Sequence, residues 1–161
     1  MKQPTPTTKI KIKPSKKKVK EEKKLSYGTS KLEIYFAENF LDKLGVKYEY
    51  QKQFKSINRV FDFWLPECNV LVEVDGDYYH LNTEVITKEP SRMQKKNMRV
   101  DKIKDKWALL NNIILIRVWE NDIHKNPVKV MEMLEKRIGY STEKQILKEK
   151  KKSGEFFIKK I

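Results

Sequence analysis

Phe61-Asp62-Phe63-Trp64-Leu65-Pro66-Glu67-Cys68-Asn69-Val70-Leu71-Val72-Glu73-Val74-Asp75-Gly76-Asp77-Tyr78-Tyr79-His80 carries carboxylates where a buried β-strand carries apolar side chains. Arg59 to Trp64 and Val70 to Val74 are rich in β-branched and aromatic residues, so each is expected to be a strand. Pro66-Glu67-Cys68-Asn69 is expected to turn the chain between them. A period of two puts Leu71, Glu73 and Asp75 on one face of the second strand and Val70, Val72 and Val74 on the other. Asp62 sits between Phe61 and Phe63, both expected to point away from it. A carboxylate in such a strand costs several kcal/mol unless something offsets its charge.

A divalent cation is the commonest such offset, because hard cations prefer oxygen ligands. If Asp62 faces Glu73 or Asp75 across an antiparallel ladder, two or three carboxylates come within reach of one ion. The Val74 carbonyl, between them in sequence, would add a backbone oxygen, and such a shell suits Mg²⁺. The plainer reading is that Glu73 and Asp75 pair with lysines, or that Asp75-Gly76 is an ordinary turn. Turn chemistry accounts for an Asp before Gly but not for one between two Phe.

Working outward, Ser30 and Glu33 have the spacing of a capping box. Leu32, Tyr35, Phe36, Phe40, Leu41 and Leu44 then recur at helical spacing until Gly45. Lys47 to Phe54 reads as a strand and Ser56-Ile57-Asn58 as a turn, so three strands form an antiparallel meander. A looser segment, 81–92, contains Pro90. A helix is expected from about Met93 to Asn111, with Val100, Ile103, Trp107 and Leu110 as its buried stripe. Ile113 to Val118 is an apolar run suited to a strand covered on both faces. Asn126-Pro127 opens a last helix to about Ile138. The order α-β-β-β-α-β-α implies an α/β fold, a mixed central sheet flanked by helices.

The chain has 161 residues and a formal net charge of +14. Residues 1–24 hold ten Lys and two Glu, and residues 141–161 hold seven Lys and three Glu. These arms carry +12 of the +14. Three regions are expected: a disordered Lys-rich tail at 1–25, a domain at 26–140 and a basic extension at 141–161. Basic arms on a nearly neutral core suit a polyanion, most often nucleic acid, although solubilising tails have the same composition. One cysteine, Cys68, and two histidines, His80 and His124, leave no set for a structural zinc. With no signal-like or spanning segment, a reduced cytoplasmic setting is expected, without membrane contact.

His80 follows the acidic strand closely, and a histidine there suits proton transfer, although a lone histidine is more often a loop or core residue. Glu33 is already explained by its capping position. Asp101, flanked by lysines, reads equally as a surface ion pair.

Asp62, then Glu73-Val74-Asp75-Gly76, then Tyr78-Tyr79-His80, resembles the PD-(D/E)xK nuclease superfamily. It is most similar to the very short patch repair endonucleases and the related phage homing endonucleases with an E-D-x-H-D pattern. Lys96-Asn97-Met98-Arg99-Val100-Asp101 and Leu115-Ile116-Arg117-Val118-Trp119-Glu120 extend the resemblance over roughly 30–125. It implies a restriction-endonuclease-like fold and a Mg²⁺-dependent endodeoxyribonuclease, in a bacterial or phage-infected cell, acting on double-stranded DNA with one or two ions. Asp62 would be the main metal ligand, with the Val74 carbonyl second and Glu73 nearby. His80 would act on the water or the leaving group. Asp101 would orient His80 or hold a metal-bound water, and Glu33 would complete the acidic cluster. Tyr78 and Tyr79 occupy positions where aromatics can wedge into DNA, with core packing the even alternative. Lys96, Arg99 and Lys104 would contact DNA.

Two departures stand out. Asp75 replaces the superfamily's lysine, with Lys104 or Lys106 from the helix as substitutes. The zinc ligands of the mismatch enzymes are missing, which favours a homing-type or generic nuclease. The alternative is a non-catalytic DNA-binding or regulatory protein on the same fold; an RNA-binding basic protein comes third.

Overall fold

Four strands form one mixed sheet in the computed structural model, which describes residues 30–153. Strands β1 (Glu49–Phe54), β2 (Arg59–Leu65) and β3 (Val70–Asp75) are successive antiparallel neighbours, and β4 (Ile114–Trp119) lies parallel to β3 at the edge. The expected meander is therefore present, inside an α/β arrangement. The expected tail at 1–25 lies outside the described residues.

The first helical segment comprises α1 (Lys31–Phe36), a π-helical turn (Ala37–Leu41) and α2 (Asp42–Leu44), and ends at Gly45 in the left-handed region. The π turn lets Phe36, Ala37, Phe40 and Leu41 all be buried, while Tyr35 is turned outward. They pack on the sheet face bearing Val70, Val72 and Val74, with Phe63, Leu65, Ile116 and Val118. Complete burial of one such side chain is worth about 1.5–3 kcal/mol. The last helix, α6 (Pro127–Ser153), closes this core through Val130, Leu134 and Ile138. It continues well past the expected end at Ile138, across the expected 140/141 boundary. A six-residue helix, α5 (Glu120–Lys125), precedes it and was not anticipated.

The other face carries a smaller apolar cluster, Phe61, Leu71 and Ala108 with Trp64 and Trp107. It is covered by α4 (Arg92–Leu110). Ser91 caps α4 in a full capping box with Gln94, and the one expected at Ser30 does not form: Ser30 makes no side-chain cap. The expected apolar stripe of α4 is also displaced. Ile103 and Leu110 are exposed, whereas Gln94 and Ala108 are buried and Asp101, Lys104 and Trp107 partly so. Gln94, Asp101, Lys104 and Ala108 recur at helical spacing. Much of what lies beneath α4 is charged, so its inner face is largely polar. Among the described residues no helix is long and apolar enough to cross a membrane.

Candidate active site

Regular alternation would send Phe61 and Phe63 to the same side of the sheet. They instead join different clusters, Phe63 with Val72 and Phe61 with Leu71. The switch falls between the Tyr50–Phe63 and Lys52–Phe61 pairs, where Gln51 adopts a left-handed φ of 49°. Such an irregularity twists a strand and re-aims a side chain. The regular β2–β3 pairing also stops at Phe63–Val72, and side chains take over. The Val74 N–H donates to Asp62 Oδ2 at 2.8 Å, and the Asp62 N–H donates to Glu73 Oε1 at 3.2 Å. Of the two partners expected for Asp62, it is Glu73 that it meets.

Two further charges complete this cluster. Glu33, released from its expected capping role, accepts a 2.6 Å hydrogen bond from the Tyr50 hydroxyl. Lys104 reaches in from α4, with Nζ 2.6 Å from Glu73 Oε2 and 5.1 Å from the centre of the Phe61 ring. Its side chain is largely buried, so Lys104 serves the acidic cluster rather than an open surface, whereas Lys106 is exposed.

Burial, then the charge of Glu33, raises the Asp62 pKa to about 6. Burial and the charge of Asp62 raise Glu73 to about 7, against the pull of Lys104. Burial raises Glu33 as well, with a contribution from Glu73. Three carboxylates thus repel one another around a single ammonium group.

Beside this cluster, His80 Nδ1 lies 2.8 Å from Asp101 Oδ2 and 3.6 Å from Asp75 Oδ1. Burial opposes the charged imidazole, yet the Asp101 hydrogen bond and the Asp75 charge raise its pKa overall. Asp101 is lowered: burial pushes it up, but His80 and Arg117 outweigh that. Asp75 does not join the Asp62–Glu73 pair. Its hydrogen bonds go to Arg117, whose Nη1 lies 3.1 and 2.8 Å from its two oxygens, while Oδ1 also faces His80.

His80 is placed by an unexpected single-turn helix, α3 (Asp77–His80), which ends at Leu81 in the left-handed region. Gln94 Nε2 donates to the Tyr78 carbonyl at 2.6 Å and Asn97 Nδ2 to the Tyr79 carbonyl at 3.0 Å. The Asp77 N–H donates to Glu120 Oε2 at 3.2 Å. These contacts tie α3 to α4 and to the start of α5. Core packing is excluded for Tyr78 and Tyr79, which are 59% and 58% exposed and meet edge to face. Lys96 and Arg99 are exposed on α4, where with Arg92 and Lys95 they line a basic depression.

No family model, no curated protein and no solved structure matches this chain. The site's chemistry must be read from its own residues.

Among the described residues no three His, Cys, Asp or Glu side chains stand ready as a metal-binding group. Asp62 and Glu73 nevertheless offer carboxylate oxygens, the donors a hard cation takes, and burial first, then a neighbouring carboxylate, raises the pKa of each. Two adjoining carboxylates are donors whose chemistry is compatible with Mg²⁺. The Val74 backbone abuts Asp62 through its N–H, the peptide group next to the carbonyl expected as a ligand.

Four residues at this site had no role in the sequence reading: Arg117, Asn97 and Glu120 stand in the stretches that carry the resemblance but were assigned nothing, and Gln94 was not singled out at all. Arg117 had a usable signal, since an arginine inside an apolar strand poses the same electrostatic problem as Asp62. Gln94, Asn97 and Glu120 act on backbone groups of a turn whose position only the fold determines.

Proposed function

We propose that this protein is a metal-dependent DNA endonuclease. The observation that carries the reading is the adjacency of two arrangements: the Asp62–Glu73–Lys104 cluster, and His80 held by Asp101. Asp62 and Glu73 would hold Mg²⁺, with Glu33 adding negative charge behind them. Bound there, the ion would polarise the scissile phosphate and lower the pKa of water. Asp101 occupies His80 Nδ1, leaving Nε2 as the nitrogen that exchanges a proton with water or the leaving oxygen. Lys104 supplies a cation beside the carboxylates, the charge that Asp75, neutralised by Arg117, does not.

Exposed Tyr78 and Tyr79, with Lys96 and Arg99, would meet the duplex, and the Lys-rich arms would add contacts to phosphates. Tyr78→Ala and Tyr79→Ala are each expected to weaken DNA binding by about 1–3 kcal/mol, the worth of one base stacked on an aromatic ring. Because both rings are exposed, stability should stay within ~0.5 kcal/mol. Titration of labelled duplex, with thermal melting of the same variants, checks both; a large fall in melting temperature would assign the rings to the fold.

Deleting residues 1–24 removes a formal +8. The slope of log K against log salt should then shrink by ~0.9 for each phosphate that the arm had neutralised. An unchanged slope would show that this arm does not touch DNA.

The reading is tested by offering the full chain matched DNA and RNA duplexes with Mg²⁺. Mg²⁺-dependent hydrolysis of the DNA supports it. DNA binding without hydrolysis would favour a non-catalytic DNA-binding protein, and preference for the RNA would refute the assignment.

A further inference from the structure

Arg117 lies in β4 with its side chain largely buried, at a junction of three carboxylates. Its Nη1 meets both Asp75 oxygens, Nη2 lies 3.4 Å from Asp101 Oδ1, and Nε donates to Asp105 Oδ1 at 3.0 Å. One planar group thus joins β3, β4 and α4. A guanidinium can do this because its donors form a rigid fork; an ammonium is a point charge. Two of these carboxylates, Asp75 and Asp101, are the ones that face His80 Nδ1, and they come from different elements. Asp75 is 2% exposed, so without a fixed counter-charge it would be costly to ionise.

We propose that Arg117 is a positioning residue: it holds Asp75 and Asp101 so that both address His80 Nδ1, fixing the proton there and leaving Nε2 open toward the phosphodiester. The proposal rests on the nuclease reading for the use of Nε2, but the arrangement itself can be measured without DNA. Asp101 has two oxygens, and Arg117 takes one while His80 takes the other. Loss of the fork would free the Asp101 carboxylate to rotate and the imidazole with it. In a neutral histidine, the hydrogen bond made by one ring nitrogen decides which of the two carries the proton.

The experiment is nitrogen-15 NMR of the imidazoles in the labelled full chain, at a pH where they are neutral. The chain has only two histidines, and His124→Gln assigns their signals. Wild type is expected as the Nδ1–H tautomer at His80, and Arg117→Lys, which keeps the charge but loses the fork, as a mixture. Arg117→Lys should also slow cleavage roughly 10–100-fold, the usual cost of losing a group that orients a site residue, with DNA affinity unchanged. That loss should vanish in a His80→Ala background, because residues acting through one another are not additive. An Nε2–H tautomer in wild type would overturn the proposal, even if Arg117→Lys failed to fold. So would an equal loss of rate in both backgrounds, which marks a purely structural role.

Discussion

Asp62→Asn is expected to abolish Mg²⁺-dependent cleavage while leaving DNA affinity within about tenfold. On the proposed reading the charge of Asp62 would act through the cation on the transition state, whereas DNA affinity would come mainly from basic and aromatic residues elsewhere. The same substitution should stabilise the fold in the presence of a chelator. Asp62 is raised in the folded protein from 3.8 to about 6, by burial and by Glu33. The folded state therefore holds a proton that the unfolded chain releases, and stability falls as pH rises from about 4 through 6. Asparagine can still accept the Val74 N–H but carries no charge. The variant should match wild type at pH 4 and exceed it by ~2 kcal/mol at pH 8, since a tenfold difference in proton affinity between the two states is worth about 1.4 kcal/mol. Urea titrations at the two pH values measure this. A pH-independent loss of stability would mean that Asp62 is a structural acceptor first.

The next largest effect is expected at His80. His80→Ala should slow cleavage by roughly 10²–10⁴-fold, the usual contribution of a positioned acid or base, with cation and DNA binding retained. Because Asp101 Oδ2 holds Nδ1 at 2.8 Å, Asp101→Asn should act on the same step. The double variant should then be little worse than the worse single one. The pH profile supplies the sign. As a general base His80 must be neutral, so the rate should climb with pH through a pKa above 6.5, the direction in which Asp101 and Asp75 push it. Removing the Asp101 charge should move that limb to lower pH. Independent multiplication of the two losses, or loss of DNA affinity alone in His80→Ala, would break the assignment.

The three-strand meander and its acidic strands were legible because period-two patterning and β-branched content are local properties of Arg59–Leu65 and Val70–Asp75, whereas the place of β4 beside β3 was not read. The juxtaposition of Asp62 with Glu73 was legible too, because an antiparallel meander leaves few partners. The break at Asp62 was not. It depends on a left-handed residue, Gln51, in a neighbouring strand, and glutamine does not announce that conformation. The inner face of α4 was misread for a related reason. Counting apolar residues finds the stripe only when a helix covers an apolar surface, and α4 covers Glu73, Asp75 and Arg117 as well as Leu71. Glu33 was undervalued because its local explanation was sufficient in sequence, while its partner, Tyr50, lies 17 residues away. The pairing of His80 with Asp101 came from the family resemblance. Composition and spacing alone left Asp101 an ordinary helix-surface carboxylate.

The most direct test is conversion of supercoiled plasmid by the purified full chain, with Mg²⁺ or with chelator, alongside Asp62→Asn. Nicked or linear product with wild type and Mg²⁺ only, and none with Asp62→Asn, is the predicted result. Product that persists in chelator, or in Asp62→Asn at the wild-type rate, would contradict a metal-dependent site built on Asp62 and Glu73.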